Sequence, residues 1–480
     1  MKTRILTLLI ILTASFKVAF SQETSPLIKG NVEISIKKGT IACDFVISDI
    51  PHIDYSKDGD AEDYVIRLNS GMNVHYFKDL KAGSKPLYYD TDLKDSIWSY
   101  ETKAYLMHEN RGNPSRYIPE QLEVKYIGWY PVIADSTSGY MGQDWRGNIA
   151  FNGYSVRADG LQSAWYPVIY NKRKQKLYKQ VRYDIDITCN DCNMLFVNGS
   201  KPVRGKKANF VSNVPYEMAI YCGNYDAAEQ DNTWLLNPQM TKGQEQQLFS
   251  MVKSFEDYYA KHLDIPYKGN LSFVQTTPTA DPKEWAFAFN VSPTTINVGG
   301  GSYGLNALFA PSAGPRGRQA MAHELGHYYF GTLLTANTPY GPIISEGFAE
   351  FLSFKATKSI IGESQYQELL SDKIKVLKYL RNYKSLSLAK TEDDFGNREY
   401  YLYYYTLVLF TAIEKEIGEE TMWNWLKTMV ITKTDFTNYA FLESTFDKAV
   451  PNKALAERIK GKYFTSDKAL ENAIAEIEAK

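Results

Sequence analysis

The sequence predicts a multidomain α+β protein in which an all-β N-terminal part precedes a mainly helical C-terminal part. Two observations carry that prediction. Between Gly30 and about Cys222, apolar and polar residues alternate over short runs bounded by Gly, Asn, Asp and Pro, the period of half-buried strands. From Thr241 onward the apolar residues recur at three- and four-residue intervals, the period of helices packed on a core. With 480 residues, 44% hydrophobic and 14% aromatic, the chain has material for two or three cores and lacks the composition of a disordered protein.

The first segment, "MKTRILTLLIILTASFKVAFSQE", opens with Lys2 and Arg4, runs apolar from Ile5 to Phe16, and offers Ala19 and Ser21 as small residues before Gln22. This predicts a signal peptide over residues 1–21 and a secreted or periplasmic protein. The run falls short of the roughly 18 to 20 apolar residues that cross a bilayer, and no later run matches it, so no membrane span is expected. Loss of Lys2, Arg4 and Lys17 takes the formal charge from -1 to -4. A mildly acidic chain without a basic block is not expected to bind nucleic acid.

Residues 22–230 read as the β domain. "VRYDIDI" sets Val181, Tyr183, Ile185 and Ile187 against Arg182, Asp184 and Asp186, and "VEISIKKG" and "LEVKY" repeat the alternation more briefly. Ser212 to Pro215 reads as one of the joints between strands. Of the four cysteines, Cys189 and Cys192 flank Asn190-Asp191, a two-residue hairpin turn. Facing residues of such a hairpin lie about 5.5 Å apart, so a local disulfide is expected there. Cys43 and Cys222 lack the spacing of a second half-site for zinc.

"AAEQDNTWLLNPQ" reads as a polar linker, and residues 231–460 as a second domain. In "TKGQEQQLFSMVKSFEDYYAKH", Thr241 and Gln244 suit a capping box, followed by a stripe of Leu248, Met251, Val252, Phe255, Tyr258 and Tyr259. "NLSFVQTT" and "WAFAFNV" are strand-like, and from Pro315 the pattern is helical. Residues 461–480 form a closing helix in which Leu470, Ala473, Ile474 and Ile477 share a face.

The chemistry concentrates in "MAHELGHYYF". With six histidines in the chain, a chance His-Glu-x-x-His arises in well under about one per cent of such compositions. A helix returns to the same face after four residues, so His323 and His327 can share one Zn2+ ion while Glu324 faces the attacking water as general base. Eighteen residues later, in "GPIISEGFAEFLSF", Glu346 opens a segment with helical spacing and completes a His2Glu donor set. Glu350 lies one turn further, positioned to accept the second ring N–H of a ligand histidine. His52, His75, His108 and His262 are isolated and read as packing or surface residues, and the Gly-rich "GGGSYG" lacks the ending of a phosphate loop.

"HELGHYYFGTLL" followed by "ISEGFAEF" resembles the aminopeptidase N family of zinc aminopeptidases, a branch of the gluzincins. The matching features are the spacing, Phe330-Gly331 after the second histidine, and Glu346-Gly347-Phe348-Ala349 around the third ligand. The resemblance implies a saddle-like β domain followed by a thermolysin-like catalytic domain, with a peptide substrate. It also implies a tyrosine that steadies the oxyanion. Counting back along "YYYTLVLFTAIEKEIGEE" from Gly418 places Tyr403 there, with Tyr401 and Tyr404 as alternatives. The family's glutamate for the substrate amine has its nearest counterpart at Phe289 of "AFAFN", where Asn290 matches; Glu284 and Asp281 are candidate substitutes. The expected activity is zinc-dependent hydrolysis of short peptides with altered recognition of the N-terminus. An endopeptidase of the same fold and a catalytically silent peptide-binding protein are the rivals.

Overall fold

The structure is a computed structural model that describes residues 25–50, 64–92, 102–110, 113–116, 118–134, 149–158, 160–171, 176–178, 180–276, 289–291, 295–299, 304–310, 314–379 and 383–479. The expected signal peptide, His52, Asp281, Glu284 and most of the Gly-rich loop fall outside the described residues.

Three sheets share the N-terminal core. The largest has seven strands in the order Lys207–Tyr216, Val181–Cys189, Leu27–Ser35, Thr40–Ser48, Leu122–Trp129, Met72–Asp79 and Lys85–Pro86. Its alternation is the one visible in the sequence: Val181, Tyr183, Ile185 and Ile187 are buried, and the residues between them half-buried. Leu27–Ser35 pairs with Val181–Cys189 in parallel, Val32 opposite Ile187, so the first strand docks on a partner from the far end of the domain. The inner faces meet strands of the other two sheets around Trp165, whose indole N–H donates to the Met218 carbonyl at 2.8 Å.

The joint expected at Ser212 to Pro215 is strand instead, part of Lys207–Tyr216, with a register shift where it faces Val181 and Tyr183. Pro215 is tolerated because this strand is the sheet's edge and needs no donor on its open side. Cys189 and Cys192 form the disulfide, with Cα atoms 5.7 Å apart. Between them, the Asp191 carboxylate accepts from Ser35 Oγ and from the backbone N–H groups of Ile36 and Lys37, at 2.9–3.1 Å. Cys43 and Cys222 are buried free thiols, each pushed up to about 12 by burial and therefore inert at neutral pH.

The stretch read as a linker is a hairpin. Ala227–Gln230 and Thr233–Leu236 pair antiparallel around Asp231-Asn232, and the second of them joins Leu271–Gln275 in parallel. These strands, with Thr295–Val298 and the edge strand Phe289–Val291, make a fourth sheet. Polar composition concealed the hairpin because only Leu235 and Leu236 are fully buried.

Helix α1, Lys242–Leu263, begins with the capping box formed by Thr241 and Gln244 and ends at Asp264 in the left-handed conformation. Its buried stripe, Leu248, Val252, Phe255 and Tyr259, packs on helix α2, Gly314–Gly326, where the Tyr259 hydroxyl donates to the Ala322 carbonyl at 2.8 Å. Then follow α3 (Phe348–Ala356), α4 (Glu363–Tyr379), α5 (Thr406–Ile417) and the closing helix α6 (Ala469–Glu478). Helix α6 buries Ala469, Leu470 and Ala473 in the same core. Among the described residues no helix is long and apolar enough to cross a membrane.

Candidate active site

His323 lies near the end of α2 and His327 one turn on, where the helix gives way to a wider turn, Tyr328–Leu333. That turn is broken at Phe330, at φ -107° and ψ 69°, which swings the Phe330 carbonyl back to within 3.1 Å of His327 Nδ1. A carbonyl only accepts, so Nδ1 carries a proton, and Nε2 is the nitrogen left to give up its own proton to a metal. His323 is fixed likewise, its Nδ1 donating to Glu350 Oε2 at 2.8 Å. Both imidazoles therefore turn Nε2 toward one point.

Glu346 meets them there. Its Oε2 is 3.3 Å from His323 Nε2 and 3.4 Å from His327 Nε2. Ligand atoms bound at about 2.0–2.1 Å around a tetrahedral ion lie roughly 3.3–3.4 Å apart. Both carboxylate–imidazole separations match that spacing, and all three donors lie within 4.8 Å of one another. Burial would raise the Glu346 carboxyl, but the charge of His327 and the hydrogen bonds from both histidines outweigh it and hold the group well below the usual range.

The elements meet at two glycines, of which only Gly347 leaves no room for a Cβ. A Cβ on Gly326 would lie 3.4 Å from the Ala349 backbone, so α2 and α3 touch there with nothing between them. A Cβ on Gly347 would lie 2.8 Å from Thr406 Oγ1, which seats the Glu346 turn directly on the start of α5. The wide turns Tyr328–Leu333, Ile343–Gly347 and Tyr401–Tyr405 follow His327, carry Glu346 and carry Tyr403 respectively. Such turns recur at functional sites, although two others, Thr357–Ile361 and Lys460–Phe464, lie elsewhere.

Glu324 is half-buried beside the histidines; burial raises its carboxyl, and their charges offset this in part. The Tyr403 hydroxyl donates to Glu346 Oε2 at 2.9 Å. Its neighbours turn elsewhere. Tyr401 donates to the Lys384 carbonyl at 2.9 Å, and Tyr404 lies under the Lys373 ammonium, 4.1 Å from its ring centre.

A second layer, only partly visible in the sequence, surrounds these groups. Glu350 also accepts from Gln319 at 3.2 Å and pairs with Lys373 at 2.9 Å, and Lys373 reaches the Tyr403 carbonyl at 3.0 Å. Burial alone would raise Glu350, yet the Lys373 charge and the His323 hydrogen bond bring it down to about 2. Gln319 is four residues before His323, a spacing that could have flagged it, whereas Lys373 arrives from α4 without any local pattern. Arg398, also missed, pairs with Glu392 at 3.3 Å, and its charge partly offsets the burial that raises the Tyr403 hydroxyl.

Of the remaining candidates, Phe289 heads the edge strand of the fourth sheet, opposite Asn297, and offers no carboxylate. His108 pairs with Asp90 at 2.9 Å, and His262 stacks on Trp423. Among the described residues, the other group with metal-ligand spacing is Cys189, Asp191 and Cys192, whose sulfurs are consumed in the disulfide.

No protein-family model matches the chain, and no curated protein matches its sequence. Solved structures do match its fold. An M1 zinc metallopeptidase from Deinococcus radiodurans superposes with a TM-score of 0.61 at 12% identity, over 92% of this chain and 94% of that one. A mutant of that enzyme bound to a Tyr-Ser-Ala substrate gives 0.59 at 13%, over 91% and 93%. Leukotriene A4 hydrolase from Saccharomyces cerevisiae gives 0.63 at 14%, over 94% of this chain and 70% of that one. The chain thus has the β-then-helical architecture of these enzymes.

Proposed function

We propose that the chain is a zinc-dependent peptide-bond hydrolase, aminopeptidase-like and acting on short peptides, with altered recognition of the substrate N-terminus. The observation that carries this reading is the donor set, two Nε2 atoms whose rings are held through Nδ1, each within 3.4 Å of one carboxylate oxygen. The architecture shared with M1 zinc metallopeptidases supports it.

His323, His327 and Glu346 would hold the ion. Zinc there supplies a Lewis acid that polarises the scissile carbonyl and lowers the pKa of water toward about 7. Glu324 takes the attacking water's proton and passes it to the leaving amine, a task suited to a carboxyl raised by burial. Tyr403 releases Glu346 and donates its hydroxyl to the oxyanion. Glu350 and Lys373 hold the His323 ring and the Tyr403 segment in register. Phe289 favours a second reading at the level of specificity: cleavage of N-terminally blocked peptides, or within longer ones.

The test is elemental analysis combined with a mixed peptide library read by mass. Wild-type and Glu324→Gln proteins should each hold one zinc per chain, and His323→Ala and His327→Ala should hold none. Glu324→Gln should turn over at least on the order of 10²-fold more slowly. Tyr403→Phe should lower kcat more than it raises KM. Stoichiometric zinc in the folded histidine variants, or near wild-type turnover without Glu324, would sink the assignment.

A further inference from the structure

The segment that leads into the Glu346 turn is clamped to one a hundred residues away. The Asn337 N–H donates to Thr437 Oγ1 at 2.8 Å, and the Thr437 N–H and hydroxyl donate back to Asn337 Oδ1 at 3.0 and 2.9 Å. The Thr338 hydroxyl adds a bond to the Thr437 carbonyl at 2.9 Å. Against this clamp lies a cavity of about 320 Å³, to which Lys390 contributes from a third segment. No residue of the zinc donor set lines it.

The cavity gathers hydrogen-bond donors that the fold itself does not use. Tyr340, on its wall, is 3% exposed, and its hydroxyl has no hydrogen-bond partner among the described residues. Such a hydroxyl carries a standing cost that a bound acceptor removes. The exposed Lys390 ammonium enters no ion pair among the described residues. Asp394, the acid nearest to it in sequence, is taken by Lys384 and by the N–H groups of Lys390 and Thr391.

The eleven-residue helix Tyr439–Ala449 starts at the same place. The Asn438 side chain accepts from the Phe441 N–H at 3.1 Å and its carbonyl from the Leu442 N–H. The N–H groups of Tyr439 and Ala440, two residues of the cavity wall, are left without an acceptor in the helix. The neighbouring acid, Glu443, reaches the Tyr439 hydroxyl at 3.5 Å and faces Lys460 at 3.9 Å. The rest of the wall is largely apolar: Pro339, Phe436 and the Tyr439 ring, which stands edge-on to Tyr340 with centres 6.2 Å apart.

We propose that this cavity binds a small organic carboxylate with an apolar body. Lys390 and the first turn of the helix take the carboxylate, Tyr340 donates its hydroxyl to it, and Pro339, Phe436 and the Tyr439 ring cover the body. One ammonium among neutral donors balances a single negative charge, which suits a carboxylate better than a phosphate. An N-acyl amino acid and the C-terminal residue of a peptide share this chemistry. The inference goes beyond the peptidase reading and does not require it.

The test is calorimetry on the full chain with N-acetyl-leucine, its amide, acetate and inorganic phosphate. N-acetyl-leucine should bind about tenfold or more tightly than each of the other three. Lys390→Gln should bring the acid-to-amide ratio near one, and Lys390→Arg should keep most of it. Tyr340→Phe should weaken the acid severalfold while leaving the thermal transition of the free protein unchanged or higher, because its hydroxyl has no partner to lose. His323→Ala, which removes a proposed zinc ligand, should bind as the wild type does. Equal affinity for acid and amide, a preference that survives Lys390→Gln, phosphate binding as tight as the acid, or loss of binding in His323→Ala overturns the proposal. Peptide cleavage then separates the two sources. Competition by N-acetyl-leucine that disappears in Lys390→Gln identifies the substrate's own C-terminal residue, and binding without competition identifies a separate carboxylate. If no peptide is cleaved at all, the peptidase reading falls and the binding result stands.

Discussion

Each histidine's competence as a ligand is decided by which ring nitrogen holds its proton, and here a single acceptor decides it for each. Glu350 is the more consequential, because its partner Lys373 keeps it ionised in a buried place. Glu350→Gln should weaken zinc binding by roughly 10 to 100-fold, measured by competition with a chelator. Unchanged affinity would show that the charge on Glu350 is immaterial. A pH dependence accompanies it. The Glu350 carboxyl is depressed to about 2 in the zinc-free fold, so its contribution to stability is present above its unfolded value near 4.3 and is lost as the pH falls from there toward 2. Zinc-free wild type should lose more stability across that window than Glu350→Gln does. Much of this scale is legible in the sequence, since helical repeat alone aligns His323 with His327 and Glu346 with Glu350. Lys373 is not, because it comes from a separate helix with no local pattern to announce it.

Elements meet at the site through glycines, one of them at a contact too close for a side chain. The two interfaces carry different demands, which a pair of alanine substitutions separates. At Gly347 the added methyl would lie 2.8 Å from Thr406 Oγ1 and 3.2 Å from its Cβ. Thr406 cannot easily yield, because its hydroxyl donates to the Leu402 carbonyl at 2.6 Å within its own helix. Gly347→Ala should cost about 1–3 kcal/mol in denaturant unfolding, as overpacking does, and should weaken zinc binding by parting the Glu346 turn from α5. At Gly326 the same methyl would meet the Ala349 backbone at 3.4 Å, an ordinary contact, and alanine is the better helix former. Gly326→Ala should therefore be neutral or slightly stabilising and keep its zinc. Equal losses at both positions would mean that helix approach is not what Gly347 provides. The sequence shows these glycines only as parts of a motif; their reason is the distance between helices that are remote along the chain. The hairpin at 227–236 was concealed for a related reason, since its burial comes from a sheet and a domain that local polarity does not reveal.

The whole molecule joins its β part to its helical part through a small apolar cluster instead of a flexible tether. Met194 and Phe196 of the strand Met194–Val197, Tyr221 of the strand Ile220–Gly223 and its flanking Ala219 and Tyr225 pack with Leu236 and Val274 of the fourth sheet. Beside them Thr276 bonds Asn152 at 3.2 Å and Ser155 at 3.0 Å, and Gln180 reaches Thr335, eight residues past His327, at 2.9 Å. The change from strand period to helix period foretold two parts, but nothing in either period foretold that they would share a core. If the cluster couples them, the protein should unfold in one cooperative thermal transition, and zinc, bound at the proposed site in the folded helical part, should raise that whole transition by mass action. Leu236→Ala removes a fully buried side chain from the middle of the cluster and should destabilise by roughly 2–5 kcal/mol. Its more telling effect should be on cooperativity. With the coupling weakened, calorimetry should resolve two transitions, of which added zinc moves one and leaves the other in place. Two transitions in the wild type, with zinc acting on one alone, would show that the parts unfold independently and that the cluster is a contact without coupling.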